Sequence, residues 1–236
     1  MKRYDVVWYE SPADIVQVHL WKKHIVYKND SHRTYHVETG DINGDGDQDI
    51  VFATKTDNSL GWLKNERLSS EWPLTWVDNN CIRCFNVRVA DIDNDGQNDI
   101  IASEDDSING GKIHFYSYSN NSTIQANWIN RVIANFPAGH GVSVFEIIDI
   151  DGDGDLDIIV ADESKNMVIC FENCGITFYE IWKEHVIDKS DKYLKWCHSV
   201  DLGDIDGDGD LDVAVAAASS NTFLIYFNDM EKRAFK

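Results

Sequence analysis

Short apolar runs and acidic, glycine-rich breaks alternate along this chain at a regular interval. The runs Ile-Val-Phe-Ala at 50–53, Ile-Ile-Ala-Ser at 100–103, Ile-Ile-Val-Ala at 158–161 and the apolar stretch at 213–217 each follow an Asp/Gly segment. They are short and β-branched, with none of the three-to-four spacing of a helix, so each predicts a strand. A strand leads into every break (36–40, 85–90, 142–148, 198–203). A third strand follows after a turn (60–64, 112–116, 167–171, 222–227), and a tryptophan-bearing fourth comes last (74–77, 128–133, 182–187). Four antiparallel strands in about 50 residues, repeated, is the signature of a propeller blade. The expectation is an all-β chain: a β-propeller of four-stranded blades, about four of them, forming one domain over 1–236. The repeats fall at approximately 28–78, 79–134, 135–188 and 189–236, with 1–27 as extra or closing strands.

The ends leave two arrangements open. Strands at 6–9 and 21–26 read as a third and a fourth strand with no blade before them, and the last unit has only three strands. Either strand 21–26 completes the last blade and closes a ring of four, or the chain is part of a larger propeller. Closure is favoured because an open arc exposes strand edges.

The breaks themselves carry chemistry. D-I-N-G-D-G-D-Q-D begins at Asp41, D-I-D-N-D-G-Q-N-D at Asp91, D-I-D-G-D-G-D-L-D at Asp149 and at Asp204. Each places oxygen side chains at positions 1, 3, 5 and 9 around a glycine at position 6, and position 7 offers a backbone carbonyl. An all-oxygen set of this kind suits a hard cation, Ca²⁺ first among them. An EF-hand is excluded: position 12 is Phe52, Ala102, Val160 or Val215 where that loop needs a bidentate Glu, and strands rather than helices flank the loop. The loops therefore join two strands of a hairpin.

The formal charge of -20 changes the picture less than its size suggests. The loops hold four, four, five and five acidic residues, 18 of the chain's 41, and the remainder is nearly balanced by 21 Lys and Arg. The acidity is a local device whose repulsion a bound cation would relieve. No basic patch points to nucleic acid. The N-terminus has no signal-peptide core, and no window approaches the ~18 apolar residues of a membrane span. Five cysteines are read as structural or free thiols, because Cys81-x-x-Cys84 has no second half-motif.

These loops resemble the FG-GAP/VCBS repeat family, whose blades carry D-x-[DN]-x-D-G-x-x-D loops; the resemblance covers about residues 20–228. It implies a calcium-binding propeller with about four structural Ca²⁺ ions, each between the first two strands of a blade. Carried over by position, the ligands are Asp41, Asn43, Asp45, Asp47 and Asp49 in the first loop, and Asp91, Asp93, Asp95, Gln97 and Asp99 in the second. The third offers Asp149, Asp151, Asp153, Asp155 and Asp157, the fourth Asp204, Asp206, Asp208, Asp210 and Asp212. The chain lacks the Gly-Ala-Pro signature of the integrin-type pattern, looks more like the bacterial and fungal VCBS type, and has fewer blades than the usual seven or so.

A loop filled by its own chain leaves no open position for metal catalysis, so function is expected on a propeller face. The first reading is a binding module for a glycan or protein ligand, with Tyr35, His36, Arg88, His140, Trp196 and His198 as contacts. The tryptophans that recur once per blade, Trp21, Trp76, Trp128 and Trp182, are read as packing. The second reading is a polysaccharide lyase or sugar dehydratase, which the resemblance allows; Tyr35-His36, His140, and Tyr193 with His198 would supply the base. Weak Ca²⁺ affinity of the extracellular kind, about 10⁻⁴–10⁻³ M, would suit a secreted protein.

Overall fold

The computed structural model describes residues 5–12, 21–28, 33–67, 69, 71–118, 128–175, 182–190 and 192–229; residues 1–4, read above for a leader, lie outside these. Among the described residues, seventeen strands account for the regular structure apart from one 3₁₀ turn, Ala218–Ser220. β1 (Val6–Glu10) and β2 (Lys22–Tyr27) form a two-stranded sheet. The first blade is β3 (Thr34–Gly40), β4 (Asp49–Thr54), β5 (Ser59–Leu63) and β6 (Leu74–Asp78). The second is β7 (Cys84–Ala90), β8 (Asp99–Glu104), β9 (Lys112–Tyr118) and β10 (Trp128–Asn135). The third is β11 (Val142–Ile148), β12 (Asp157–Asp162), β13 (Met167–Glu172) and β14 (Lys183–Lys189). The last has three strands, β15 (Cys197–Gly203), β16 (Asp212–Ala217) and β17 (Thr222–Tyr226). Each sheet is an antiparallel meander in chain order, and the sheets form a four-bladed β-propeller.

The alternation of side chains explains the packing. β4, β8 and β12 are buried at every position, because both faces of each are covered: β8 and β12 lie between two blades, and β4 lies between the second blade and the β1–β2 sheet. Val51, Ala53, Leu60 and Trp62 of the first blade meet Val87, Ile100, Ala102 and Tyr116 of the second. Ile101, Ile113 and Phe115 meet Phe145, Ile158, Val160 and Ile169 of the third, and Ile159, Ala161 and Val168 meet Val200, Val213 and Val215 of the last. Fully burying one such side chain contributes roughly 1.5–3 kcal/mol, so these interfaces hold the fold together. Cys81 and Cys84 are fully buried in the first of them, and none of the five cysteines is in a disulfide. Trp76, Trp128 and Trp182 pack into these interfaces as expected, whereas Trp21 is exposed.

The turns between the second and third strands use left-handed residues where the chain must reverse. Asn58, Asn166 and Asn221 have φ near +50°, and Gly110 has φ +102° in the longer turn of the second blade. Asn tolerates this region better than other side-chain-bearing residues.

The expected closure does not form. β2 pairs with β1 and not with β17, so strand 21–26 does not complete the last blade. The reason is packing: Val6 and Val26 cover Ile50, Phe52 and Leu63, the back of the first blade.

Candidate metal centres and the opposite face

At one end of every blade, a first strand runs into an acidic loop and returns as the second strand. The loops have nearly the same internal bonding. The position-1 carboxylate caps the turn: Asp41 accepts N–H groups from Gly44 (2.8 Å), Asp45 (3.1 Å) and Gly46 (2.8 Å), and Asp91, Asp149 and Asp204 accept the equivalent Gly96, Gly154 and Gly209 N–H groups. The position-6 glycines have φ between +85° and +97°, which only glycine adopts without strain.

The position-9 aspartates, Asp49, Asp99, Asp157 and Asp212, are fully buried at the base of the loops. One oxygen of each accepts the position-2 N–H, from Ile42, Ile92, Ile150 and Ile205. The other, in three loops, accepts the N–H of Asn65, Asn173 or Asn228 beyond the third strand. Burial, with the negative neighbours Asp93, Asp95 and Asp91 adding, pushes the Asp99 carboxyl up to about 8. Burial moves Asp157 to about 6 and raises Asp49 as well.

Positions 1, 3 and 9 converge. Oxygens of Asp91, Asp93 and Asp99 lie within 4.8 Å of one another, as do those of Asp149, Asp151 and Asp157, and of Asp204, Asp206 and Asp212; each cluster can hold a metal ion. The first loop has Asn43 at position 3 instead of an aspartate. Asp93 Oδ1 is buried with no hydrogen-bond donor. The expected position-5 residues are not drawn into the clusters: Asp45, Asp95, Asp153 and Asp208 each cap the N–H of position 7. At position 7, Asp47 pairs with Arg67, and Asp155 accepts Asn94 Nδ2 at 2.8 Å.

The loops are also tied to one another. Asn98 Nδ2 donates to Asp41 O (2.9 Å), Asn173 Nδ2 to Ile92 O (3.3 Å) and Asn228 Nδ2 to Ile150 O (3.0 Å), each reaching the loop of the preceding blade.

The expected ligand contacts belong to the inner strands or to the end opposite the loops, and fall into four groups. Arg88 sits on the axis. It bonds both oxygens of Glu146 on β11, lies 3.5 Å from Glu38 on β3, and meets His36 Nε2 at 3.1 Å. Burial, then the Arg88 charge, holds the His36 imidazole below its usual range, so it stays neutral beside the guanidinium. Tyr35 is exposed, 5.6 Å from the Phe85 ring, with the cations of Arg33 and Lys55 near its face. His140 bonds the buried Asp162 through Nδ1. Trp196, 50% exposed, stacks near His198 with ring centroids 6.3 Å apart. Its φ of +60° is held by Asn166 Oδ1, which accepts the Trp196 N–H at 3.1 Å.

Sequence reasoning overlooked Lys55, Arg83 and Asp105 on this face. Lys55 lies over the Phe85 ring and pairs with Asp105, which Arg83 also contacts. Counting could have found two of them: Lys55 and Asp105 each stand fourteen residues after a loop's first aspartate, at the end of the second strand.

A profile of the FG-GAP-like repeat matches residues 29–102 and 149–215. No curated protein matches the sequence. A crystal structure of BBS1N in complex with ARL6DN, soaked with mercury, is similar at 11% identity and a TM-score of 0.46; the match covers 82% of this chain and 57% of that one. At that score the likeness carries no argument.

Proposed function

The chain belongs to the FG-GAP-like repeat family, and we propose that it is a calcium-stabilised binding module that takes a glycan or protein ligand on the face opposite the loops. The observation that carries this is the set of exposed aromatics at the end opposite the acidic loops. The loop carboxylates face inward on each loop. At the other end Tyr35, Tyr193 and Trp196 stand exposed, with the Arg33 cation over the Tyr35 ring and Lys192 over the Tyr193 ring. Exposed aromatics on a rigid scaffold supply contact area at little entropic cost, and loops on such scaffolds carry recognition.

Calcium fits the loops because every donor is oxygen and because Asp99 is buried among the carboxylates of Asp91, Asp93 and Asp95. When bound, the ion neutralises the crowded carboxylates and fixes the hairpin. The chain's own residues do the rest: position 1 organises the turn, position 9 anchors it to the core, and the asparagines join one loop to the next. A secreted setting, where calcium is abundant, is part of this reading.

Retention on a glycan array, lost in Trp196→Ala and Tyr35→Ala with the melting temperature unchanged, is the expected result. Growth of unsaturated-uronate absorbance on incubation with acidic polysaccharides, abolished by His140→Ala, would replace this reading with a lyase. Silence in both assays would leave a protein ligand.

A further inference from the structure

The first acidic loop differs from the other three in two ways, and both make it less negative. One difference is at position 3, where Asn43 stands in place of Asp93, Asp151 and Asp206. In the first, third and fourth loops an oxygen of this side chain accepts the N–H of position 5. Asn43 Oδ1 takes it from Asp45 at 2.9 Å, and Asp151 and Asp206 take it from Asp153 and Asp208 at 3.2 Å. An aspartate then has a second oxygen left for the cluster of positions 1, 3 and 9. Asn43 has only its amide nitrogen left. That Nδ2 is buried with no hydrogen-bond partner, whereas the buried atom without a partner at this position of the second loop is an oxygen, Asp93 Oδ1. An NH₂ group donates and repels a cation. For Asn43 to offer oxygen to an ion, its amide must turn over and give up the Asp45 bond.

The other difference comes from outside the loop. Lys64 Nζ lies 3.2 Å from Asp45 Oδ2, and the Arg67 guanidinium pairs with Asp47. Both places can be matched in other blades. Lys64 follows Leu63, the partner of Ile50 across the second and third strands. The same place holds Ser117, Glu172 and Phe227 in the later blades, none of them a cation. Arg67 stands two residues after Asn65, as Gly175 stands two after Asn173. A Cβ on Gly175 would lie 2.0 Å from Asp155 Oδ2, the position-7 carboxylate of its loop. Arg67 and Gly175 thus face the same point of their loops, and only Arg67 brings charge to it.

The charges decide the comparison. The first loop has four carboxylates, Asp41, Asp45, Asp47 and Asp49, and two of them hold a cation in contact. The third and fourth loops have five carboxylates each. The Arg131 charge reaches Asp93 of the second loop, but that loop keeps an aspartate at position 3. The calcium affinity of such loops is tuned by the number of charged ligands, and a nearby fixed cation opposes an incoming one.

We propose that Lys64 and Arg67 are fixed counterions of the first loop. They relieve part of the repulsion that calcium relieves in the other three, so the first loop closes without the ion. It is the last to bind calcium, about tenfold or more weaker than the others. The inference rests on the calcium reading given above. Both cations are exposed, so salt screens them and the gap between the loops narrows at high ionic strength.

The test follows the NMR amide signals of the position-6 glycines, Gly46, Gly96, Gly154 and Gly209, while CaCl₂ is titrated into the metal-stripped full chain. Each of these N–H groups is held by the position-1 carboxylate of its own loop, so each reports one site. The Gly46 signal should respond at about tenfold or more higher calcium than the other three. In the double variant Lys64→Gln with Arg67→Gln, the Gly46 midpoint should fall toward the others while theirs stay in place. That variant should also melt below the parent in EDTA, with the difference shrinking in saturating calcium. The charge-preserving pair Lys64→Arg with Arg67→Lys should keep the parent's midpoints. A Gly46 midpoint equal to the others, or one that the double glutamine variant leaves unchanged, overturns the proposal while the calcium reading stands. If none of the four signals responds to calcium, the calcium reading falls and the proposal with it.

Discussion

Replacing Asp99 by Asn should change stability in opposite directions with and without calcium. Asp99 is buried, accepts the Ile92 N–H at 3.1 Å, and shares its loop with Asp91, Asp93 and Asp95. Burial, then that repulsion, lifts its pKa from 3.8 to about 8 in the metal-free fold. A carboxyl raised on folding contributes stability that is fully present below pH 3.8 and is lost as pH climbs through 8. At pH 7 the loss is at most about 4 kcal/mol, from 1.36 kcal/mol per pH unit over roughly three units. Loop relaxation and water entry reduce it to about 2–4 kcal/mol. Asparagine is neutral, has nearly the same shape, and keeps an oxygen for Ile92. In EDTA at pH 8, Asp99→Asn should therefore melt about 5–10 °C above the parent, and at pH 4 the two should converge. In millimolar CaCl₂ at pH 8 the order should reverse, because the variant has lost a charged ligand. Thermal melts in the four conditions measure this directly. If Asp99→Asn is destabilised equally in EDTA and in calcium, the position is held by shape and hydrogen bonding, and the electrostatic account of the loops is refuted.

Arg88→Met leaves Glu38 and Glu146 facing each other on the axis, and should cost about 2–4 kcal/mol in urea unfolding, with partial recovery in Arg88→Lys; an unchanged midpoint would mean that the axial pairs contribute nothing. Asn173→Ala removes the bonds to Ile92 O and Leu156 O, so it should cost about 1–2 kcal/mol and weaken calcium binding to the loops it joins; normal affinity would show that the loops are independent. With a thiol reagent, the native protein should show one reactive cysteine, Cys174, and the unfolded chain five, since the other four are buried; early reaction of Cys81 or Cys84 would contradict the packing of the first two blades.

The blades were legible because their signals are local. Each acidic loop fixes a hairpin, each apolar run that follows is long enough for only one strand, and Trp76, Trp128 and Trp182 mark the outer strands. The loop spacing pointed to oxygens at positions 1, 3, 5 and 9, and in the second, third and fourth loops the carboxylates of 1, 3 and 9 lie together. The destination of β2 was not legible, because pairing to β1 or to β17 depends on which distant face Val6 and Val26 bury. The Glu10–Lys22–His24 ion group, which repeats Glu172–Lys183–His185, was the available signal. The Arg88 network escaped for the same reason: His36, Glu38, Arg88 and Glu146 are up to 110 residues apart and meet only once three inner strands surround the axis. Positions 3 and 5 look alike in the sequence, and in the first, third and fourth loops both accept the N–H two residues on.

The most direct test of a calcium-stabilised propeller is titration of the metal-stripped chain with CaCl₂ in a calorimeter, read alongside its melting temperature. The account predicts binding to about four sites, one for each loop. It also predicts a rise in melting temperature that saturates with occupancy and is lost on adding EDTA, because an ion that binds only the folded loops stabilises them by mass action. Absence of binding heat, with the same melting temperature in EDTA and in calcium, would contradict it.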